Sequence, residues 1–160
     1  MNPSNGKVID TLEDVVGQTS DTRYDLFFTN AKLIAAIVLH PSDLFQLYAK
    51  RTGIEELLIG GAVRRREVQT LSMKLENQRR EGFRNKTPEQ ILATHAANLE
   101  IRYENVLSAK VARGLLGVML DFDTCAANGN RRKLRFRLHA GQFERARTLL
   151  DSTLPDKIAT

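Results

Sequence analysis

The stretch Arg131 to Pro155, RRKLRFRLHAGQFERARTLLDSTLP, limits what this chain can fold into more than any other. Leu134, Phe136 and Leu138 alternate with Lys133, Arg135 and Arg137, the period of a strand with one face buried and the other in water. Directly after it, Phe143, Ala146, Leu149, Leu150 and Leu154 recur at helical spacing and form one apolar face. An amphipathic helix cannot bury its stripe alone. It must lie against a sheet, most simply over the open end of a bent antiparallel one.

The rest of the chain supplies the other strands and a block of helices. GKVIDTLEDVV is β-prone without a clean period, a first strand or a ragged lead-in, and QTSD at 18–21 is turn chemistry. RYDLFFT and KLIAAIVL, separated by Asn30 and Ala31, read as a hairpin. The second run is nearly all apolar and is expected to be buried on both faces. Pro41 ends it. SDLFQLYAKRTG then reads as a helix capped by Ser42 and stopped by Gly53. Thr52 stands three residues before Glu55, a capping box for a second helix expected from Ile54 towards Glu81. Its apolar positions are Ile54, Leu57, Leu58, Gly61, Val68, Leu71 and Leu75, with Gly60–Gly61 marking a kink or a close packing point. TPEQIL opens a third helix with Thr87 at the N-cap, Pro88 at the first position and Gln90 completing the box. Ile91, Leu92 and His95 would share its face, and its end is expected near Asn98. Strands return with IRYENVLSAKV, VMLDFDT and KLRFRL, joined by the turn-like RGLLG and AANGN.

The expected architecture is α+β. One domain spans 7–154, with a sheet from about 7–39 and 99–139, a closing helix at about 141–152 and a helical insertion at about 42–97. About six strands can be counted. A length of 160 residues suits one domain with a real core. The balance of 42% hydrophobic to 27% charged residues excludes a disordered chain. The longest apolar run, Leu33 to Leu39, falls far below the roughly 20 residues of a membrane span. MNPSNGKVID lacks the charged-then-apolar pattern of a secretory signal, and the single Cys125 permits no internal disulfide. A cytoplasmic protein is expected, peripheral at a membrane if it meets one.

YDLFFTNAKLIAAIVL resembles the first hairpin of prokaryotic pleckstrin-homology-like domains, the fold shared with GRAM domains, in which a β-T-[N/D]-x-[K/R]-β step is common. IRYENVLSAKVARGLLGVMLDFD is similar to their central strands, and RKLRFRLHAGQFERARTLL to their last strand and closing helix. The resemblance covers about residues 7–39 and 99–154, and the helical block between departs from it as an insertion. It implies a seven-stranded bent sheet, or partly open barrel, capped by one helix, with no catalytic residues and no cofactor. Some eukaryotic members bind phosphoinositides through a basic cluster between the first two strands. Here that loop is VVGQTSDTRYD, with one arginine and two aspartates, so that ligand does not carry over.

The net charge of +5 is unevenly spread. Residues 62–86 carry eight Lys and Arg against three Glu, and residues 131–147 seven against one. These segments nominate Arg64, Arg65 and Arg66 on the long helix, and Arg131, Lys133, Arg135 and Arg137 along one strand face, as contacts for an anionic partner. An anionic membrane surface and a protein partner rank first. Nucleic acid ranks below them, because aromatic residues are only 6% and Phe136 points the other way. Self-association through the long helix is a further expectation. The other chemistry is sparse. His40, His95 and His139 would need to converge with carboxylates to hold a metal. Asp121 and Asp123 share a strand face, the pattern of paired acids or of a solvated face. Cys125 lacks an identifiable activating base. The expected function is that of a non-catalytic binding or scaffold module, neither enzyme nor metalloprotein.

Overall fold

The computed structural model describes residues 6–18, 21–49 and 61–159, and the side chains of all of these but 61–64. The strands are β1 (Asp10–Gly17), β2 (Arg23–Phe28), β3 (Lys32–Leu39), β4 (Leu99–Arg102), β5 (Val106–Gly114), β6 (Gly117–Cys125) and β7 (Arg131–Leu138). Between β3 and β4 stand α1 (Pro41–Ala49), α2 (Gly61–Phe83) and α3 (Pro88–Leu92), and α4 (Phe143–Thr153) follows β7. All seven strands join one antiparallel sheet in the order β4-β3-β2-β1-β7-β6-β5.

That order forces the sheet to curl. β4 and β5 are its two edges, yet only Tyr103–Asn105 separate them in the chain. Laid flat, seven strands would hold their edges about 29 Å apart. Three residues and their flanking bonds reach about 14 Å. The sheet therefore wraps around its inner face, and one core gathers there: Leu12 and Val15 from β1, Leu26 and Phe28 from β2, Leu33 from β3, Leu120 and Phe122 from β6 and Phe136 from β7. α4 closes the open end over β5 with Ala146, Leu149 and Leu150. The expected strand and helix of Arg131–Pro155 are both present. Phe136, Leu138 and Leu150 are buried, while Leu134 and Phe143 are partly buried against the same core.

The strand count missed β4. IRYENVLSAKV reads as one strand, but a 3-10 turn at Tyr103–Asn105 divides it between the two edges of the sheet. Lys157 Nζ donates to the Tyr103 carbonyl at 2.5 Å and helps hold this corner. β3 is apolar and buried from Leu33 to Leu39 because it has two cores. Its inner residues meet the main core. Ile34, Ala36 and Val38 meet Phe27, Phe83 and Ile91 under the inserted helices.

Two helix boundaries differ from expectation. α1 begins at Pro41, and Ser42 is not its cap. Proline suits a first helical turn, and Asp43 Oδ2 accepts the His40 N–H at 2.8 Å. α3 has the full Thr87–Gln90 capping box but ends at Leu92, not near Asn98. The Asn98 amide donates to the Ile91 and Leu92 carbonyls, and its oxygen accepts the Ile37 N–H at 2.8 Å. One side chain thus ends the helix and ties the chain back to β3. α2 is described from Gly61. The Gly53 stop, the Thr52–Glu55 box, the stripe positions Ile54, Leu57 and Leu58, and Gly60 lie outside the described residues.

Three carboxyls stitch the elements and set an acid limit. The Arg145 guanidinium holds Asp10 below its ordinary value of 3.8, against a smaller opposing effect of burial. Burial pushes Asp43 and Glu100 up, but Arg79 with the His40 N–H outweighs it for Asp43, and Lys32 with Arg102 for Glu100. All three are lowered in the fold, so the unfolded chain takes up protons first as pH falls. Their stabilisation is complete above the ordinary values of 3.8 and 4.5 and is lost as pH drops through the lower, folded ones. Urea midpoints are expected to hold steady from pH 7 to pH 5.5 and to fall by pH 3. Equal midpoints at pH 3 and pH 7 would show that these pairs contribute nothing.

Candidate functional site

β7 pairs along its whole length with β6 and at its C-terminal end with β1, and its alternation puts Arg131, Lys133, Arg135 and Arg137 on the outer face, all exposed. The register sets Asp121 opposite Arg135 and Asp123 opposite Lys133. Arg135 grips Asp121 with two hydrogen bonds of 2.6 and 2.8 Å. Arg131, Lys133 and Arg137 have no ion-pair partner among the described residues. The row is therefore three available cations around one neutralised pair. Asp121, held by Arg135, is not half of a free acid–base couple with Asp123.

The arginines of α2 do not join this row. α2 lies on the other half of the sheet, against β3 and α1, and β1 and β2 stand between β3 and β7. Arg65 and Arg66 are exposed there, and the side chain of Arg64 lies outside the described residues. Over its described side chains the apolar stripe expected of this helix holds at Val68 and is otherwise interleaved with polar residues. Val68, Ser72, Glu76 and Phe83 are buried there, while Leu71 and Leu75 are only half-buried. The reason is on β2, where Arg23 and Asp25 point out at the helix. Arg80 Nε and Nη2 donate to Asp25 at 2.8 and 3.1 Å, and Arg23 donates to Glu76 at 2.9 Å. Arg79 adds a fork onto Asp43 of α1 at 2.7 and 3.0 Å. The Asp25 side chain is only 2% exposed, so the helix supplies the countercharge that lets a carboxylate sit inside the sheet.

Beside this network a groove of about 920 Å³ runs between β1–β2 and the end of α2. Phe27, Phe83, Val8 and Ile91 give it an apolar floor. Its charges largely cancel: Arg80 with Asp25, Arg84 with Glu81 at 3.0 Å, and Lys7 and Lys86 against Glu13. Nothing in that balance selects a ligand.

The structure brings two of the three histidines together. The rings of His40 and His95 lie 6.1 Å apart. Each Nδ1 accepts a backbone N–H at 3.1 Å, from Ser42 and Ala97 respectively, which in a neutral ring puts the proton on Nε2. That arrangement does not present two lone pairs to a cation. His139 is elsewhere, 3.1 Å from Asp14. Among the described residues no group of three or more His, Cys, Asp and Glu could hold a metal. The Cys125 thiol donates to the Ala126 carbonyl at 3.6 Å and faces Arg131 across the strands.

One feature was readable in the sequence only as a turn. In RGLLG, Gly114 pairs with Gly117, which takes the positive φ of 119°. Leu115 and Leu116 are left at the tip of the β5–β6 hairpin, 107% and 82% exposed. The glycines announce the turn, but nothing in the string says that both leucines point away from every core. No family model matches the chain, and no curated protein matches it.

Proposed function

We propose that the chain is a non-catalytic, pleckstrin-homology-like binding module that docks peripherally on anionic membrane surfaces through the outer face of β7. The fold-level part is supported by seven antiparallel strands in one curled sheet closed by a single C-terminal helix, which is what the resemblance implies. The binding part rests on one observation: Arg131, Lys133 and Arg137, unpaired among the described residues, stand on one face of one paired strand. A paired strand loses little backbone freedom on binding, so the ordering cost is confined to the side chains. No helix among the described residues is long and apolar enough to cross a membrane, and the contact proposed is a surface one.

The test is sedimentation with vesicles of neutral and of partly anionic lipid at two salt concentrations. Each near-surface cation contributes about 1 kcal/mol at physiological ionic strength. Replacing Arg131, Lys133 and Arg137 with glutamine should therefore weaken binding to anionic vesicles by roughly two orders of magnitude. Arg135 is kept because removing it would strand Asp121. Wild-type binding should fall as salt rises and the Debye length shrinks from about 10 Å at 0.1 M to about 3 Å at 1 M. Coincident curves for the wild type and the triple variant would overturn the proposal. Tighter, salt-sensitive binding to DNA or RNA at matched ionic strength would replace the membrane with nucleic acid.

A further inference from the structure

We infer that the β5–β6 hairpin tip is a membrane-inserting wedge, with Leu115 and Leu116 entering the acyl region of an anionic bilayer while Arg113 and Arg137 meet the headgroup phosphates; this deepens the proposed membrane docking and rests on it. Leu115 and Leu116 are the two most exposed large apolar side chains among the described residues, and they are adjacent. A pair of leucines in water at a fixed tip is a standing cost that a docking event removes. The tip is held firmly, because β5 and β6 stay in register from Ser108 opposite Asp123 to Gly114 opposite Gly117. Gly117 takes the left-handed conformation, so neither leucine has to.

The shape of the tip chooses its occupant. It is convex, and two leucine side chains offer on the order of 200 Å² of apolar surface. A specific protein interface needs roughly 1,000 Å² or more, which a two-residue point cannot supply. A bilayer has no such requirement, since lipids close around a wedge of any outline. The charges at its base agree. Arg113 immediately precedes the tip and is 68% exposed, lying over the Phe143 ring at 4.5 Å and 3.6 Å from Glu144. Arg137 Cγ lies 4.0 Å from where a Cβ on Gly117 would stand, so this side chain, unpaired among the described residues, leaves the strand beside the turn. Apolar point and cationic collar together match an anionic membrane interface and not a neutral surface.

The chain contains no tryptophan, so one placed at the tip reports alone. Leu116→Trp should show a blue-shifted emission on anionic vesicles and quenching by lipids brominated in the acyl chain. Leu115→Ser with Leu116→Ser should lower binding to anionic vesicles about 100-fold with an unchanged thermal midpoint, because neither side chain is part of a core. Unshifted emission from vesicle-bound Leu116→Trp, or full binding by the double serine variant while the β7 glutamine variant loses it, would remove the wedge and leave the membrane reading standing. Wild type that fails to sediment with any vesicle would remove both. A concentration-dependent dimer in sedimentation velocity, abolished by the serine pair, would make a second copy the occupant and overturn the wedge.

Discussion

Arg80→Leu is expected to lower the unfolding free energy by about 3 kcal/mol, the low end of what removing one partner of a buried ion pair costs. The estimate sits at that end because Arg80 is itself 24% exposed and Asp25 keeps the Asp14 N–H at 3.0 Å. The loss comes from the carboxylate left behind, in a sheet face that α2 covers. It is expected to be larger than the loss from Arg84→Leu, whose pair with Glu81 is 3.0 Å long but lies in water with both side chains more than half exposed. Asp25→Asn combined with Arg80→Gln removes both charges and keeps an acceptor for the Asp14 N–H. That double variant should regain more than half of the lost stability in urea unfolding. If Arg80→Leu unfolds at the wild-type midpoint, α2 is not held by this pair and the inserted helices are a loosely attached layer.

The closing strand and helix, the β2–β3 hairpin and the capping box at Thr87 could all be read from the sequence, because each is a local pattern of period or of spacing. Leu134, Phe136 and Leu138 announce their face at every second residue, and Pro88 with Gln90 names a helix start without help from elsewhere in the chain. What could not be read depends on residues far apart. The break in IRYENVLSAKV exists because the sheet must turn a corner there, a demand made by the strand order and not by Tyr103 or Asn105. The polar residues buried within the stripe of α2 were not legible because their partners are Arg23 and Asp25, some fifty residues earlier. An arginine and a glutamate at helical spacing look like solvent-facing residues until a carboxylate is found beneath them.

The candidate site divides in the same way. The β7 cations follow from strand alternation, and the structure keeps them together on one face. Which of them is free follows from the register of β6 against β7, and a slip of two residues would have paired Asp121 with a different cation. Leu115 and Leu116 carried even less signal. Hydrophobic residues in a turn are as often folded back over a core as presented to solvent, and only the three-dimensional path of the hairpin decides.

Phe136→Ala is expected to have the largest effect of any single truncation on β7, about 3–5 kcal/mol. Phe136 is 2% exposed and packs edge-to-face against Tyr24 at 5.7 Å and Phe122 at 6.4 Å. These rings come from β2 and β6, on opposite sides of β7 in the sheet. Among the described residues β1 and β7 are paired at Val16–Arg137 and Gly17–Phe136, with one further bond from the Gln18 N–H to the Arg135 carbonyl at 3.1 Å, so few backbone bonds join the two halves. Side-chain packing across that seam must do what the short ladder does not, and Phe136 is the side chain placed to do it. The alanine variant should therefore unfold at markedly lower urea with a single transition, and Phe136→Leu, which keeps most of the volume but loses both ring contacts, should fall between. A variant whose β1–β4 amides stay protected from hydrogen exchange while those of β5–β7 and α4 open would mean that the halves are separately stable and that the seam does not couple them.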